Sequence, residues 1–274
     1  MIDESDLPDF KTPPAVETLL GFYYAPLKGW TTPNFGLFWQ DIRKQYPRVE
    51  VQPSLTEQGL RLELKTEKAR LQISGEVPVR WRYFHRSGKT LIQLQSDTFV
   101  QNWRKRDEND PYLHYRDLRP SFANMWARYC KFLGKSNVHA PTVRECEVTY
   151  VNHIDKGAGW QTIQDLRDVI AGWSGLTSGS FLPSPQVVSM NVEYPIKERS
   201  GRLRVMVEPG IREGQATLRL TLTARCRPNS SKPSDLLKAL DLGREWVVRG
   251  FADFTTPKMH ESWGKTDRRK RGKQ

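Results

Sequence analysis

The chain is 274 residues long, 37% hydrophobic and 11% aromatic, with a formal net charge of +12. Its nine tryptophans argue against a disordered chain, and its length is enough to bury about three quarters of the surface an unfolded chain exposes. The last ten residues carry a net +5 and the first fourteen a net −3, which leaves +10 on the body. A basic body suits a polyanionic partner, nucleic acid or an acidic protein, although solubility alone also accounts for it. Cys130, Cys146 and Cys226 are odd in number and scattered. They do not form a disulfide framework and fit a reducing cytoplasm. The acidic N-terminus lacks the apolar run of a signal peptide, and no stretch approaches the roughly 18 apolar residues of a membrane span. No membrane partner is expected.

Residues 1–14, ending in Pro13-Pro14, read as a flexible lead, and residues 16–26 as a first strand stopped by Pro26. Asn34 can cap a helix over Phe35–Tyr46, with Phe35, Phe38, Trp39, Ile42 and Tyr46 on one face. Short strands are expected at Val49–Gln52, Leu60–Leu64 and Arg70–Ile73. Residues 79–106 then read as one long β-hairpin. Val79, Trp81, Tyr83 and His85 alternate with Arg80, Arg82, Phe84 and Arg86, Gly88 serves the turn, and the return strand runs from Leu91 to Arg106. A helical stripe follows, Leu118, Phe122, Met125, Trp126, Tyr129, Phe132 and Leu133, with Pro120 set to kink the helix or mark its start.

The order then recurs. A strand over 145–154 contains Cys146, and a short amphipathic helix over Ile163–Trp173 follows it. Strands are expected around Val188–Ile196, Leu203–Val207 and Leu218–Cys226, and a last helix begins near Ser234 with Leu236, Leu240, Val247, Phe251 and Phe254 on its buried face. Strand, helix, antiparallel strands and long helix thus occur twice. The pattern predicts an α+β fold, a structural duplication of antiparallel strands with helices on one face. It divides the chain into halves 15–134 and 142–264, with 265–274 as a basic disordered tail.

If helices cover one sheet face, residue parity reads the other. Arg202, Arg204 and Glu208 point away from the core, as do Thr217, Arg219, Thr221, Thr223, Arg225 and Arg227. Arg80, Arg82 and Arg86 join them, with Phe84 interleaved. Arginines around an aromatic can hold phosphates and stack on a base. The same pattern also describes a wet sheet face, with Glu145, Glu147, Glu193 and Glu208 as cross-strand ion-pair partners. Arg104, Lys105 and Arg106 form a second cation cluster, able to meet phosphate or to pair with Asp107, Glu108 and Asp110.

Catalytic signatures are missing: the chain contains no GxxxxGK[ST], HExxH, GxSxG or CxxC. His85, His114, His139, His153 and His260 have no metal-ligand spacing, and no cofactor or metal is expected. His153 reads as a structural histidine. With VETLLGFYYAPL (16–27), FGLFWQDIRKQYPRVEVQP (35–53), LIQLQSDTFVQNWRKR (91–106), CEVTYVNHI (146–154), LRLTLTARCRP (218–228) and LDLGREWVVRGFADFTTPKMHESWG (240–264), the chain resembles a sporadically distributed bacterial family of uncharacterised proteins of about 260 residues. That resemblance implies no activity, cofactor or site residue; its patchy distribution implies mobile or defence-associated gene neighbourhoods. Two functions are expected from different classes. One is a non-enzymatic cytoplasmic module that binds nucleic acid over its arginine face. The other is a protein-interaction or immunity-type accessory subunit, or a homo-oligomer, with an apolar patch around Trp30, Trp160 and Phe181.

Overall fold

The computed structural model describes residues 6–54, 79–107, 110–175, 181–183, 185–196 and 200–266. The strands expected at Leu60–Leu64 and Arg70–Ile73 lie outside them. Among the described residues, nine strands form one open antiparallel sheet in the order β3-β4-β5-β6-β2-β7-β10-β9-β8. They are β2 (Ala15–Tyr24), β3 (Arg48–Pro53), β4 (Val79–Phe84), β5 (Thr90–Leu94), β6 (Thr98–Arg104), β7 (Val143–Asp155), β8 (Met190–Ile196), β9 (Gly201–Arg212) and β10 (Gln215–Cys226). Helix α1 (Thr32–Ile42) follows β2, α2 (Tyr115–Lys135) follows β6, and α3 (Pro233–Phe254) follows β10.

The duplication is visible in the sheet order. Outward from the centre, β2-β6-β5-β4 is matched by β7-β10-β9-β8, and β3 is added at the first edge. The two long helices repeat as well. Leu118, Phe122, Met125, Tyr129 and Leu133 of α2 correspond at one constant separation to Leu236, Leu240, Gly243, Val247 and Phe251 of α3, and all ten are buried. The halves share one core, because β2 and β7 pair along their lengths. Leu20 and Phe22 of β2, Phe99 of β6, Val148 of β7 and Leu220 and Leu222 of β10 all point to the helix side.

Local chemistry refines several expectations. Asn34 does not cap α1. Thr31 is the N-cap, and Asn34 returns a side-chain bond to the Thr31 backbone N–H at 2.8 Å. Helix α3 starts at Pro233, so Ser234 lies inside its first turn. The expected single return strand of the hairpin is two strands, β5 and β6. Gln95, Ser96 and Asp97 turn the chain between them: the Gln95 N–H bonds the Thr98 carbonyl, and Asp97 accepts the Thr98 hydroxyl at 2.9 Å. Helix α2 begins at Tyr115 and continues through Pro120. Residues Ile163–Asp168 form a 3-10 helix rather than an α-helix.

The lead and tail meet. Asp9–Phe10 (β1) pairs with Lys265–Thr266 (β11), just after the short helix α4 (Pro257–Ser262). Phe10 packs edge-on against Phe251 and Trp263. This apolar anchor orders a stretch that its polar composition marks as free.

Candidate functional site

The parity prediction for the arginine face holds for direction. Arg80, Arg82 and Phe84 on β4, Arg202 and Arg204 on β9, and Arg219 and Arg225 on β10 alternate with residues of the core. Carboxylates meet most of them. Glu50 lies opposite Arg82, Glu193 opposite Arg204, Glu208 opposite Arg219 and Glu147 opposite Arg225 in the strand register. The corresponding ion pairs measure 3.4, 3.3, 2.7 and 2.8 Å. Arg202 pairs with Glu145 at 2.9 Å.

The most enclosed of these pairs is Arg225–Glu147, whose side chains are 7% and 8% exposed. Arg225 also reaches Glu145 at 3.4 Å and lies 4.1 Å over the Tyr23 ring. Burial alone would lower the Arg225 pKa, but Glu147, Tyr23 and Glu145 outweigh it and raise it. Phe84 is covered by the guanidinium groups of Arg48 and Arg82, 3.8 and 5.0 Å from its ring centre, and is only 4% exposed. An aromatic in that position is not open to a base. Burial, followed by the neighbouring Arg82, lowers the Arg80 pKa. Arg86 sits exposed in the β4–β5 turn, and Arg227 is exposed just past β10.

Four of the predicted cations do come together. Arg104, Lys105, Arg106 and Arg219 line a depression of about 560 Å³ with Arg212 and His153, neither of which was a predicted site residue. Glu17, Asp107, Glu208 and Glu213 line it too. Arg104 faces Glu17 at 3.8 Å, and Arg212 pairs with Asp155. Burial first, then Arg212, holds the His153 imidazole below its ordinary pKa. The depression is therefore dense in charge but close to balanced.

A second site lies on the helix side, at the edge formed by β8. A groove of about 790 Å³ runs between α3 and the β8–β9 pair, lined by Tyr194, Leu203, Val205, Leu242, Trp246 and Phe254, with Glu245, Arg249 and Asp253 at its rim. Tyr194 is 41% exposed, and Phe181, Leu182 and Val187, on the approach to β8, are 91%, 69% and 64% exposed. The expected patch is thus reduced to Phe181. Trp30 packs against Phe35 and Tyr129, while Trp160 is buried and donates to the Ile154 carbonyl at 2.9 Å. The lining residues Leu242 and Trp246 were missed because they lie beside the main buried stripe of α3. Their i, i+4 spacing widens that stripe, and this was the available signal.

The first half has a helix at the corresponding place in the sheet order. In the first half, α1 occupies the equivalent seat beside α2, over β4. Phe35 stacks on Trp81 with ring centres 5.6 Å apart, and Phe38 meets Tyr83 at 5.9 Å and Phe132 at 5.3 Å. Arg128 of α2 binds Asp41 of α1 at 2.8 Å. In the second half the chain after β7 takes another route. Its 3-10 helix buries Leu166, and Ile170 bridges to Thr255 past the C-terminal end of α3. Among the described residues, no helix covers β8 as α1 covers β4.

The fold and surfaces define a class: a duplicated, open-faced antiparallel sheet with one helix seat filled and the corresponding seat uncovered among the described residues. No protein-family model matches the chain, and no curated protein or solved structure matches it.

Proposed function

We propose that this chain is a binding module for a protein partner, which seats on the groove between α3 and the β8–β9 pair. The observation that carries this reading is the contrast between the two halves: α1 fills one seat, and among the described residues no helix covers the apolar wall of Leu242, Trp246 and Tyr194 that lines the other. An accessory subunit of a larger bacterial system is the role such a module fits. Free thiols at all three cysteines suit a reducing compartment. The test is co-purification from native cells of the wild-type chain and of Trp246→Glu. A partner held in stoichiometric amount by the wild type and lost from the variant, with the circular-dichroism spectrum unchanged, is the expected result. A partner retained by the variant would count against the groove.

A polyanion is the second reading, supported by the five cations that line the depression on the open face. Ion pairing limits it, because an arginine already bonded to a carboxylate must exchange that partner for a phosphate and gains little. Lys105 and Arg106 carry most of what remains. The expected result is nucleic acid co-eluting at low salt, leaving steeply as salt rises. Lys105→Ala and Arg106→Ala together should reduce the salt slope by about two.

A further inference from the structure

We propose that the occupant of the α3 groove is an amphipathic helix of about three turns from the partner protein. It would present large apolar residues at i, i+3 or i+4, and i+7, and a carboxylate toward Arg249. This proposal rests on the protein-binding reading and adds the shape and chemistry of the ligand.

Its basis is internal to the fold. The equivalent seat in the first half is filled by an 11-residue helix that buries Phe35, Phe38 and Ile42, the i, i+3, i+7 face of α1. The walls correspond. Strand β4 presents Trp81 and Tyr83 to α1, and β8 presents Val192 and Tyr194 on the face carrying Leu203 and Val205. At the separation that aligns the buried residues of α2 and α3, Arg128 corresponds to Trp246 and Phe132 to Gly250. Phe132 is one of the rings that meet α1. Gly250 brings no side chain to that wall; Leu203 of β9 packs directly against it, 2.6 Å from where a Cβ would stand, so the wall there is the aliphatic surface of Leu203.

The rim suits the same ligand. Arg249 is 46% exposed, and its Glu245 partner at 3.0 Å lies on its own helix in an i, i+4 pair. Such a pair, exposed and confined to one helix, is weak, so Arg249 can turn to a carboxylate on the docked helix, as Arg128 holds Asp41 in the first half. Strand addition at the β8 edge is disfavoured by Pro195, which supplies no N–H, and by the charge of Glu193. The α1 helix of a second copy is not available as occupant. Its Phe38 and Ile42 are fully buried in its own half.

The test is a phage-displayed library of 16-residue peptides selected on the full-length chain, with counter-selection on Trp246→Glu. The expected winners carry large apolar residues at i, i+3 or i+4, and i+7. Synthetic copies should become helical by circular dichroism on binding and lose at least tenfold in affinity toward Trp246→Glu and Leu242→Glu. Arg249→Glu changes only an exposed rim residue, so it tests the groove even if the apolar-wall variants fold poorly. It should weaken peptides with an acidic rim position about tenfold and strengthen those with a basic one. Enriched peptides that bind in extended form with alternating apolar residues would overturn the helix proposal while leaving the protein-binding reading intact. No enrichment, or peptides indifferent to all three substitutions, would overturn both.

Discussion

Arg225 shows how one side chain can be read correctly for direction and incompletely for role. Alternation places it on the open face, and there it lies enclosed between Glu147, Glu145 and Tyr23. Removing one member of a buried pair strands the other charge. Arg225→Met is therefore expected to destabilise by about 3–5 kcal/mol, and Arg225→Met with Glu147→Met to recover most of that, both read by urea unfolding. Gly201 is a second sensitive position. A Cβ there would collide with the backbone carbonyl of Arg225, so Gly201→Ala should cost about 1–3 kcal/mol in the same measurement.

His260 gives the pH dependence. Its Nε2 faces the Thr255 hydroxyl at 2.9 Å, and that hydroxyl donates to the Phe251 carbonyl at 2.7 Å. Nδ1 lies 3.5 Å from the Lys265 ammonium, and the ring also bonds the Ala252 backbone. Burial first, then Lys265, lowers the pKa below the ordinary 6.5. The unfolded chain takes up this proton before the folded one does. The stability contributed is complete above about pH 6.5 and is lost as pH falls through the folded pKa. His153 and His85 shift in the same direction. The urea midpoint should drop on acidification below pH 6.5, and His260→Gln should flatten part of that drop.

At the scale of elements, the apolar stripes of α2 and α3 and the alternation of β8, β9 and β10 were legible because each is a local pattern with its own period. The failures are also physical. The Gln95–Asp97 turn contains no glycine or proline, so Ser96-Asp97 was the one turn signal at the β5–β6 break, a weaker one than the apolar run on either side of it. The 3-10 helix at Ile163–Asp168 has an amphipathic spacing that fits either helix type over two turns. Pro120 sits in the sixth position of α2, where it removes a backbone bond and the helix nevertheless continues. Pro120→Ala should raise the midpoint of thermal unfolding, by an amount corresponding to about 1–3 kcal/mol.

At the scale of the molecule, the two halves are one folding unit. Strands β2 and β7 pair from Ala15–Asn152 to Tyr24–Val143, so separation would expose a long edge on each half. The long helices are joined as well: Arg119 of α2 makes two bonds to Asp241 of α3, at 2.7 and 2.8 Å, and Tyr115 adds a third at 2.9 Å. Unfolding by urea should be a single transition by fluorescence and circular dichroism alike. Residues 1–138 and 139–274 produced separately should be unfolded or aggregated, and co-expression should recover a soluble complex. Independent folding of either half would contradict the shared core.

Which residues face the helices, which face away, where the long helices lie and that the order of elements repeats are all legible in the chain before it folds. Each of these follows from spacing within a dozen residues, where backbone geometry alone sets the direction of a side chain. The tertiary structure decided which arginines are free, since Glu147 lies 78 residues from Arg225 in the chain and Glu145 lies 57 from Arg202. It also decided that the halves share a sheet and that, among the described residues, one helix seat has no helix over it. Strand order and the path of the chain after β7 are set by long-range packing, which no local period records.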